Sequence, residues 1–302
     1  MAETPAVRLE GLSKSFGEHV AVRELSLSVP AGCVYGFLGP NGSGKTTTLR
    51  LILHILLPDA GRVEVFGQSG SRAANDRIGY LPEERGLYKK MEVRRQLEYL
   101  LALKGVPRAR ARGLVTTWLE RFGLASWADE TVETLSKGMS QKVQFIAAVA
   151  AEPDLVVLDE PFSGLDPINQ EVLREAILEL KRRGTTVILS THDMSAAEEM
   201  CDFVCMIHRG QKVLDGTLDE LRRRHGAGTV RVEVEGGAAS LAGLQGVASV
   251  RDLGRLQELR VDGDPQAVLK ALLARGAVRR FEEVHPTLKE IFLTKAAVGG
   301  PA

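Results

Sequence analysis

Gly39-Pro40-Asn41-Gly42-Ser43-Gly44-Lys45-Thr46 fits the pattern G-x-x-x-x-G-K-[ST], and Thr47 follows it. Context gives the pattern its meaning. Cys33 to Leu38 is an apolar run of strand length directly before it, and Leu49 to Leu57 directly after it reads as an apolar helical run. A strand, a glycine-rich loop and a helix in that order turn backbone N–H groups inward around an anion, while the new helix presents its positive end. In such a loop the lysine, Lys45, reaches terminal phosphates and the Thr46 hydroxyl ligates Mg²⁺. Gly39, Pro40, Asn41, Gly42, Ser43, Gly44, Lys45, Thr46 and Thr47 are therefore the first candidate nucleotide-binding residues.

Outward from the loop, short apolar runs alternate with helical stretches through the first two thirds of the chain, which predicts an α/β fold with a mostly parallel sheet. Cys33 to Leu38, Leu155 to Leu158 and Thr185 to Ser190 have no polar alternation and predict central strands covered on both faces. Residues 84 to 134 read as a helical insertion, and the subdomain extends to about residue 151 with the helix that follows. In it, Leu97, Leu100 and Leu101 share one side of a helix over Val93 to Leu103. Leu114, Val115, Trp118, Leu119 and Phe122 recur at helical spacing before a stop at Gly123. Arg108, Arg110 and Arg112 alternate after Pro107 and read as solvated loop charges, with a contact patch as the other reading.

Thr217-Leu218-Asp219-Glu220 is a capping box opening a short helix that ends at Gly226, where the domain boundary is expected. This gives domains 1-226 and 227-302. In the second, Val230, Val232 and Val234 alternate with charges as in a half-buried strand. Asp264-Pro265 opens a helix carrying Val268, Leu269, Leu272 and Leu273, and Thr287 with Glu290 caps a last one carrying Leu288, Ile291 and Phe292. A small α+β domain is expected there.

Composition narrows the function. The 302 residues suit about two domains at ~150 residues each. No run reaches the ~18 apolar residues of a membrane-spanning helix. Thirteen of the 39 basic and eleven of the 39 acidic residues follow Gly216, so neither part has the basic surplus that would hold nucleic acid by bulk charge. No nucleic-acid partner is expected. Cys33, Cys201 and Cys205 sit in apolar stretches without metal-ligand or disulfide spacing and read as core residues. Met-Ala-Glu-Thr-Pro at the start has neither the basic nor the apolar segment of a signal peptide, so a cytoplasmic location is expected.

Further motifs follow in order. Leu155-Val156-Val157-Leu158-Asp159-Glu160 is a buried strand ending in two acids, in which Asp159 is placed to hold the Mg²⁺ shell and Glu160 to polarise a water. Leu135-Ser136-Lys137-Gly138-Met139-Ser140-Gln141 heads a helix. Ser163-Gly164-Leu165-Asp166 follows Glu160, and Ser190-Thr191-His192-Asp193 follows the next strand. Together with the glycine loop this ordered set resembles the ATP-binding cassette (ABC) family, over roughly residues 6 to 220. Ile78-Gly79-Tyr80-Leu81-Pro82-Glu83 and the stretch to Tyr88 are similar to the branch containing sodium and drug efflux ATPases. The run from Phe281 to Phe292 is similar to the accessory domain appended in that branch.

The resemblance implies a P-loop NTPase core with a helical signature subdomain, ATP and Mg²⁺ as cofactors, and an ATPase. Two copies would sandwich two ATP and drive separately encoded integral membrane permease subunits, for export. It implies that Ser136 and Gly138, the matching residues of the signature, contact the γ-phosphate held on the opposite subunit. Lys137 and Met139 stand where that signature has glycine and glutamine, and Met139 is counted with the ATP-binding set. Ser163 and Asp166 match the loop that crosses the dimer, His192 the switch histidine acting with Glu160 in catalysis, and Phe16 the aromatic stacked on adenine. Glu83 stands where most members have a glutamine bridging Mg²⁺, water and the membrane partner, and joins Thr46 and Asp159 as a metal ligand. A homodimer is expected through the ATP sandwich, and the C-terminal domain reads either as a second dimer contact or as a regulatory sensor for a small ligand. The location implied is the cytoplasmic membrane face, held by the permease. A non-transport cassette ATPase acting as a regulatory or assembly factor is the alternative. Thr46 and Leu135 are only 89 positions apart, which leaves no room for a chromosome-maintenance coiled coil.

Overall fold

The computed structural model describes residues 4–69, 76–84, 86–225, 228–284 and 286–298. The chain divides into two compact units, residues 1–216 and 217–302, so the helix opened by the capping box groups with the second unit. Gly226, the expected boundary, lies outside the described residues, as do Arg85 and His285 of the two branch-specific stretches.

In the first unit β1 (Val7–Phe16) and β2 (His19–Val29) form an antiparallel pair, β3 (Val34–Leu38) leads into α1 (Lys45–Ile52), and β4 (Ala60–Val65), β5 (Gln68–Ser69) and β6 (Ile78–Leu81) follow. Three helices come next: α2 (Val93–Leu103), α3 (Arg108–Arg121) and α4 (Lys137–Val149). The unit closes with β7 (Leu155–Asp159), α5 (Pro167–Arg182), β8 (Thr186–Thr191), α6 (Met194–Met200), β9 (Phe203–His208) and β10 (Gln211–Thr217). A four-stranded sheet runs β2-β1-β4-β5 and a six-stranded sheet runs β10-β9-β3-β8-β7-β6. In the second sheet β9-β3-β8-β7-β6 pair in parallel.

Every residue of β3, β7 and β8 is buried, as their unbroken apolar runs predict. One cluster, including Val7, Leu25, Phe37, Leu49, Val157 and Ile188, joins the two sheets around α1. Fully burying each such side chain contributes about 1.5–3 kcal/mol. The helical part has its own core, in which Trp118 of α3 and Phe122 just after it meet Phe145 of α4 at centroid distances of 6.3 and 5.6 Å. The three cysteines are buried and free, and burial pushes the Cys33 thiol up to about 12.

Two expectations need correction. The helix after the glycine loop stops at Ile52 and does not reach Leu57. Ile55 and Leu56 donate back to the Arg50 carbonyl, His54 has φ +53°, and Pro58 disfavours helix at the residue before it, leaving Ile55 and Leu57 exposed. The arginines after Pro107 lie on the first turns of α3, not in a loop. Arginine is a good helix former, and Ala111, 1% exposed, anchors this turn on the inside.

The second unit contains α7 (Leu218–His225), β11 (Thr229–Val234), β12 (Val247–Asp252), β13 (Gln257–Val261), α8 (Pro265–Leu273), β14 (Val278–Val284) and α9 (Leu288–Val298). Its antiparallel sheet has the order β12-β13-β11-β14. Val230 and Val232 of β11 pack with Leu241, Leu259, Val268 and Leu272 in a separate core. The capping boxes of α7 and α9 are both formed, Thr217 with Glu220 and Thr287 with Glu290. Leu273, the last residue of α8, is 59% exposed.

Candidate functional site

Because β3, β8 and β7 are adjacent and parallel, their C-terminal ends bring three distant segments to one edge of the sheet. The register sets Leu38 opposite Thr191 and Asp159 opposite Ser190. The glycine loop leaves β3, Asp159-Glu160 ends β7, and His192 follows β8. Ligand sites of open α/β sheets form at such strand ends.

A cavity of about 340 Å³ opens there, lined by Asn41 to Thr47 along the loop, by Phe16, His19 and Ala21 from the β1–β2 hairpin, and by Glu83 and Glu160. Two loop glycines are required sterically. A Cβ on Gly44 would lie 2.3 Å from the Ala21 carbonyl oxygen, and one on Gly39 2.2 Å from that of Ile207, at φ +105° and +151°. Lys45 Nζ donates to the carbonyl oxygens of Gly39 (2.8 Å) and Pro40 (3.2 Å) and lies 3.6 Å from Glu160 Oε1. The Ser43 hydroxyl is buried with no protein partner. Phe16 is 49% exposed, so it is a wall of the cavity and not part of the core.

The acid pair is held firmly. Ser190 Oγ donates to Asp159 Oδ1, while the Glu160 N–H donates to the Ser190 carbonyl (3.1 Å) and hydroxyl (3.2 Å). Glu160 sits at φ +48°, a left-handed conformation that costs a residue with a Cβ of order 1–3 kcal/mol. Its Oε1 lies 2.9 Å from His192 Nδ1, where a ring N–H donates to the carboxylate. Asp159 is fully buried, yet its Oδ2 has no partner. Burial, with the Asp159 carboxylate as the next cause, raises the Tyr80 phenol above its ordinary pKa. Buried carboxylate oxygens are ordinarily satisfied, so Oδ2 suits a hard cation or a water in its shell. No cluster of three or more His, Cys, Asp or Glu among the described residues forms a complete metal cage. Thr46 and Glu83 line the cavity and Asp159 ends the strand before Glu160, so a metal held by these three would need phosphate oxygens and water to complete its shell, as Mg²⁺ chemistry favours.

Ser136, Gly138, Met139, Ser163 and Asp166 do not line this cavity. They form a second locus. Ser136 caps α4, its Oγ accepting from the Met139 N–H at 3.2 Å, so the helix starts at the signature run. Asp166 caps α5 through the Asn169 N–H at 3.0 Å, and that bond is the first cause of its lowered carboxyl pKa. The two runs touch. A Cβ on Gly164, at φ +76°, would fall 2.5–2.8 Å from the last three atoms of the Lys137 side chain, and one on Gly138 would fall 3.5 Å from Leu165 Cδ2.

Ser190, His19 and Ala21 carried no assigned role in the sequence. Ser190 was detectable only through strand register, because its partner Asp159 is 31 residues away. His19 and Ala21 reach the cavity because the hairpin folds over the loop, which no local pattern signals.

Comparison with known proteins gives the same direction throughout. Residues 22–163 match the family model described as ABC transporter, and residues 216–296 match that of the ATP-binding protein DrrA1-3-like, C-terminal domain. The ABC transporter ATP-binding protein YhaQ of Bacillus subtilis (strain 168) is 40% identical over 95% of this chain and 97% of its own. The daunorubicin resistance ATP-binding protein DrrA3 of Streptomyces coeruleorubidus is 36% identical over 97% and 96%. A solved structure of the ATP-binding subunit of an ABC transporter superposes with TM-score 0.69 at 30% identity, covering 72% of this chain and 92% of that one.

Proposed function

This chain belongs to the ABC transporter ATP-binding proteins, and from that premise we propose that it hydrolyses Mg²⁺-bound ATP as one half of a homodimer that drives separately encoded permease subunits for export. Asn41 to Thr47, with the Gly39 and Pro40 carbonyls fixing Lys45, cradle the phosphates, and Phe16 stacks on the adenine. Thr46, Asp159 and Glu83 hold the metal shell. Glu160 takes the proton of the attacking water, and His192 orients Glu160 and follows the γ-phosphate.

One observation carries the two-subunit reading: the cavity holding the glycine loop and Glu160 contains none of Ser136, Gly138 or Met139. An anion site at the start of α4 therefore serves a nucleotide on another copy. Ser163 and Asp166 flank Gly164 and Leu165, which contact that run, and face the same junction. Lys45→Ala and Ser136→Ala proteins, each inactive alone, test this when mixed. Recovered ATPase activity supports the shared site, and activity of either single variant at high dilution refutes it.

The permease fits a largely apolar cleft of about 300 Å³ lined by residues including Tyr80, Pro82, Leu87, Leu100, Leu103 and Gln144, next in sequence to Glu83. Gln144 Oε1 is buried there without a partner and would accept a donor from the docked segment. No helix among the described residues is long and apolar enough to cross a membrane, so this reading makes the chain a peripheral subunit on the cytoplasmic face. Export rests on likeness to the Nod factor export ATP-binding protein I of Rhizobium sp. (strain N33), 34% identical over 95% of this chain and 96% of its own. The C-terminal domain offers sheet edges at β12 and β14 with Val250 and Leu253 exposed, and pairing with its copy there would hold two ATPase domains near one another. Co-purification from native membranes in mild detergent tests the permease partnership by identifying the integral protein retained.

A further inference from the structure

Residues 88–112 contain eight lysines and arginines and only two acids, Glu92 and Glu98, in a chain whose net charge is zero. The rest of the molecule therefore carries six excess negative charges, and positive charge is concentrated on this segment. Arg94, Arg95, Arg108 and Arg112, with the two glutamates, wall a shallow depression across α2 and α3. Some of these cations are committed. Arg94 pairs with Asp129 (3.2 Å), Arg112 lies 3.8 Å from Glu98, and Arg110 pairs with Glu152. Lys89, Lys90, Arg95 and Arg108 are exposed and have no ion pair among the described residues.

Apolar groups accompany the free cations. Arg95, Tyr99 and Leu103 are spaced i, i+4, i+8 on α2 and so share one face. Tyr99 is 43% and Leu103 63% exposed, and Tyr88, 57% exposed, stands edge-on to Tyr99 at 6.3 Å. Arginine beside tyrosine and a protruding leucine is the chemistry of a bilayer surface. The phenols rest at headgroup depth, the leucine enters the acyl boundary, and the guanidinium groups take lipid phosphates. A nucleic acid would use the cations and the rings but has no use for the leucine.

We propose that the α2–α3 face of the helical subdomain binds anionic phospholipid headgroups and seats this subunit directly on the leaflet beside its permease. The inference rests on the transporter reading only for the presence of that leaflet. It gives the protein a membrane contact of its own that adjoins the permease cleft at Leu103. Each basic residue near an anionic bilayer contributes a roughly fivefold gain in partition at low salt.

The test is vesicle flotation of the full-length chain without permease, with ATPase activity measured on the same samples. Expected results are binding to phosphatidylcholine–phosphatidylglycerol vesicles, none to phosphatidylcholine alone, and a decline as salt shortens the screening length to ~8 Å. Arg95→Gln with Arg108→Gln should weaken partition about 30-fold. Arg95→Lys with Arg108→Lys should retain it, and Arg251→Gln with Arg260→Gln, an equal charge change on the C-terminal unit, should not alter it. Equal binding to both vesicle types, an equal loss in the C-terminal control, or displacement of the bound chain by a duplex oligonucleotide at lower concentration than by soluble phosphatidylglycerol would each overturn the proposal. Intact ATPase activity without vesicle binding rejects this inference alone. Absent ATPase activity rejects the functional reading instead.

Discussion

Replacing Glu160 with glutamine keeps the side chain's shape while removing the base, and the surroundings define what should change. The backbone at φ +48° is held by two bonds to Ser190 that do not involve the side chain, so the loop geometry survives. His192 Nδ1, 2.9 Å from Oε1, retains a carbonyl acceptor in the amide. Only proton acceptance is lost, and a positioned base contributes about 10²- to 10⁴-fold, or ~2.7–5.4 kcal/mol of barrier. Binding should move the other way. Lys45 Nζ lies 3.6 Å from Glu160 Oε1 with both groups buried, so removing the carboxylate frees the ammonium for a phosphate and takes a negative charge from beside the nucleotide. Steady-state phosphate release and equilibrium binding of a fluorescent ATP analogue should therefore separate. Turnover should fall by two to four decades, ATP should bind at least as tightly, and light scattering should detect an ATP-dependent dimer that does not turn over. Unchanged phosphate release would refute Glu160 as the base. Loss of both turnover and binding would show that its role is to shape the loop.

Gly44→Ala should abolish nucleotide binding in a protein that still folds, because its Cβ would meet the Ala21 carbonyl at 2.3 Å; retained ATP affinity by calorimetry would show that the hairpin yields. Glu83→Gln should keep part of the activity but shift the Mg²⁺ titration to higher concentration, since an amide is a weaker ligand for a hard cation than a carboxylate, and superimposable titrations would remove Glu83 from the metal shell. Gly164→Ala should displace Lys137 and slow ATPase turnover without weakening ATP binding to isolated subunits, and an unchanged turnover number would show that the contact is incidental. Ending the chain at residue 226 should leave ATP binding intact and make specific activity depend more steeply on protein concentration; a truncated protein that self-associates as tightly as the parent would exclude pairing by the C-terminal domain.

What the sequence revealed follows from the range of the forces involved. The central strands were legible because burial on both faces demands unbroken apolar runs, and Leu155 to Leu158 has no other reading beside Asp159. The capping boxes at Thr217 and Thr287 were legible because both partners lie within four residues. The start of α3 was hidden because its inner contact is a single alanine, Ala111, while arginines dominate the pattern. The end of α1 was obscured by Ile55, Leu56 and Leu57, apolar residues that suggest continued burial although Pro58 breaks the helix. At the site, the loop residues and Glu160 could be chosen from local motifs. The hold of Ser190 on Asp159 and the cover supplied by Ala21 are products of tertiary register, which one sequence does not display.

The spacing of the parallel strands also bears on how this protein can drift. β8 lies between β3 and β7, so the loop and Glu160 leave the sheet two inter-strand steps apart, about 10 Å, a distance set by backbone hydrogen bonds. Side-chain volume beneath the sheet does not enter that dimension. Exchanges such as Ile188→Val or Val157→Ile should cost on the order of 1 kcal/mol in stability and yet leave the reach from Lys45 to Glu160 unaltered. The interior is thus free to accumulate substitutions up to the stability threshold, while the hydrogen-bonded ruler above it keeps the chemistry in gauge.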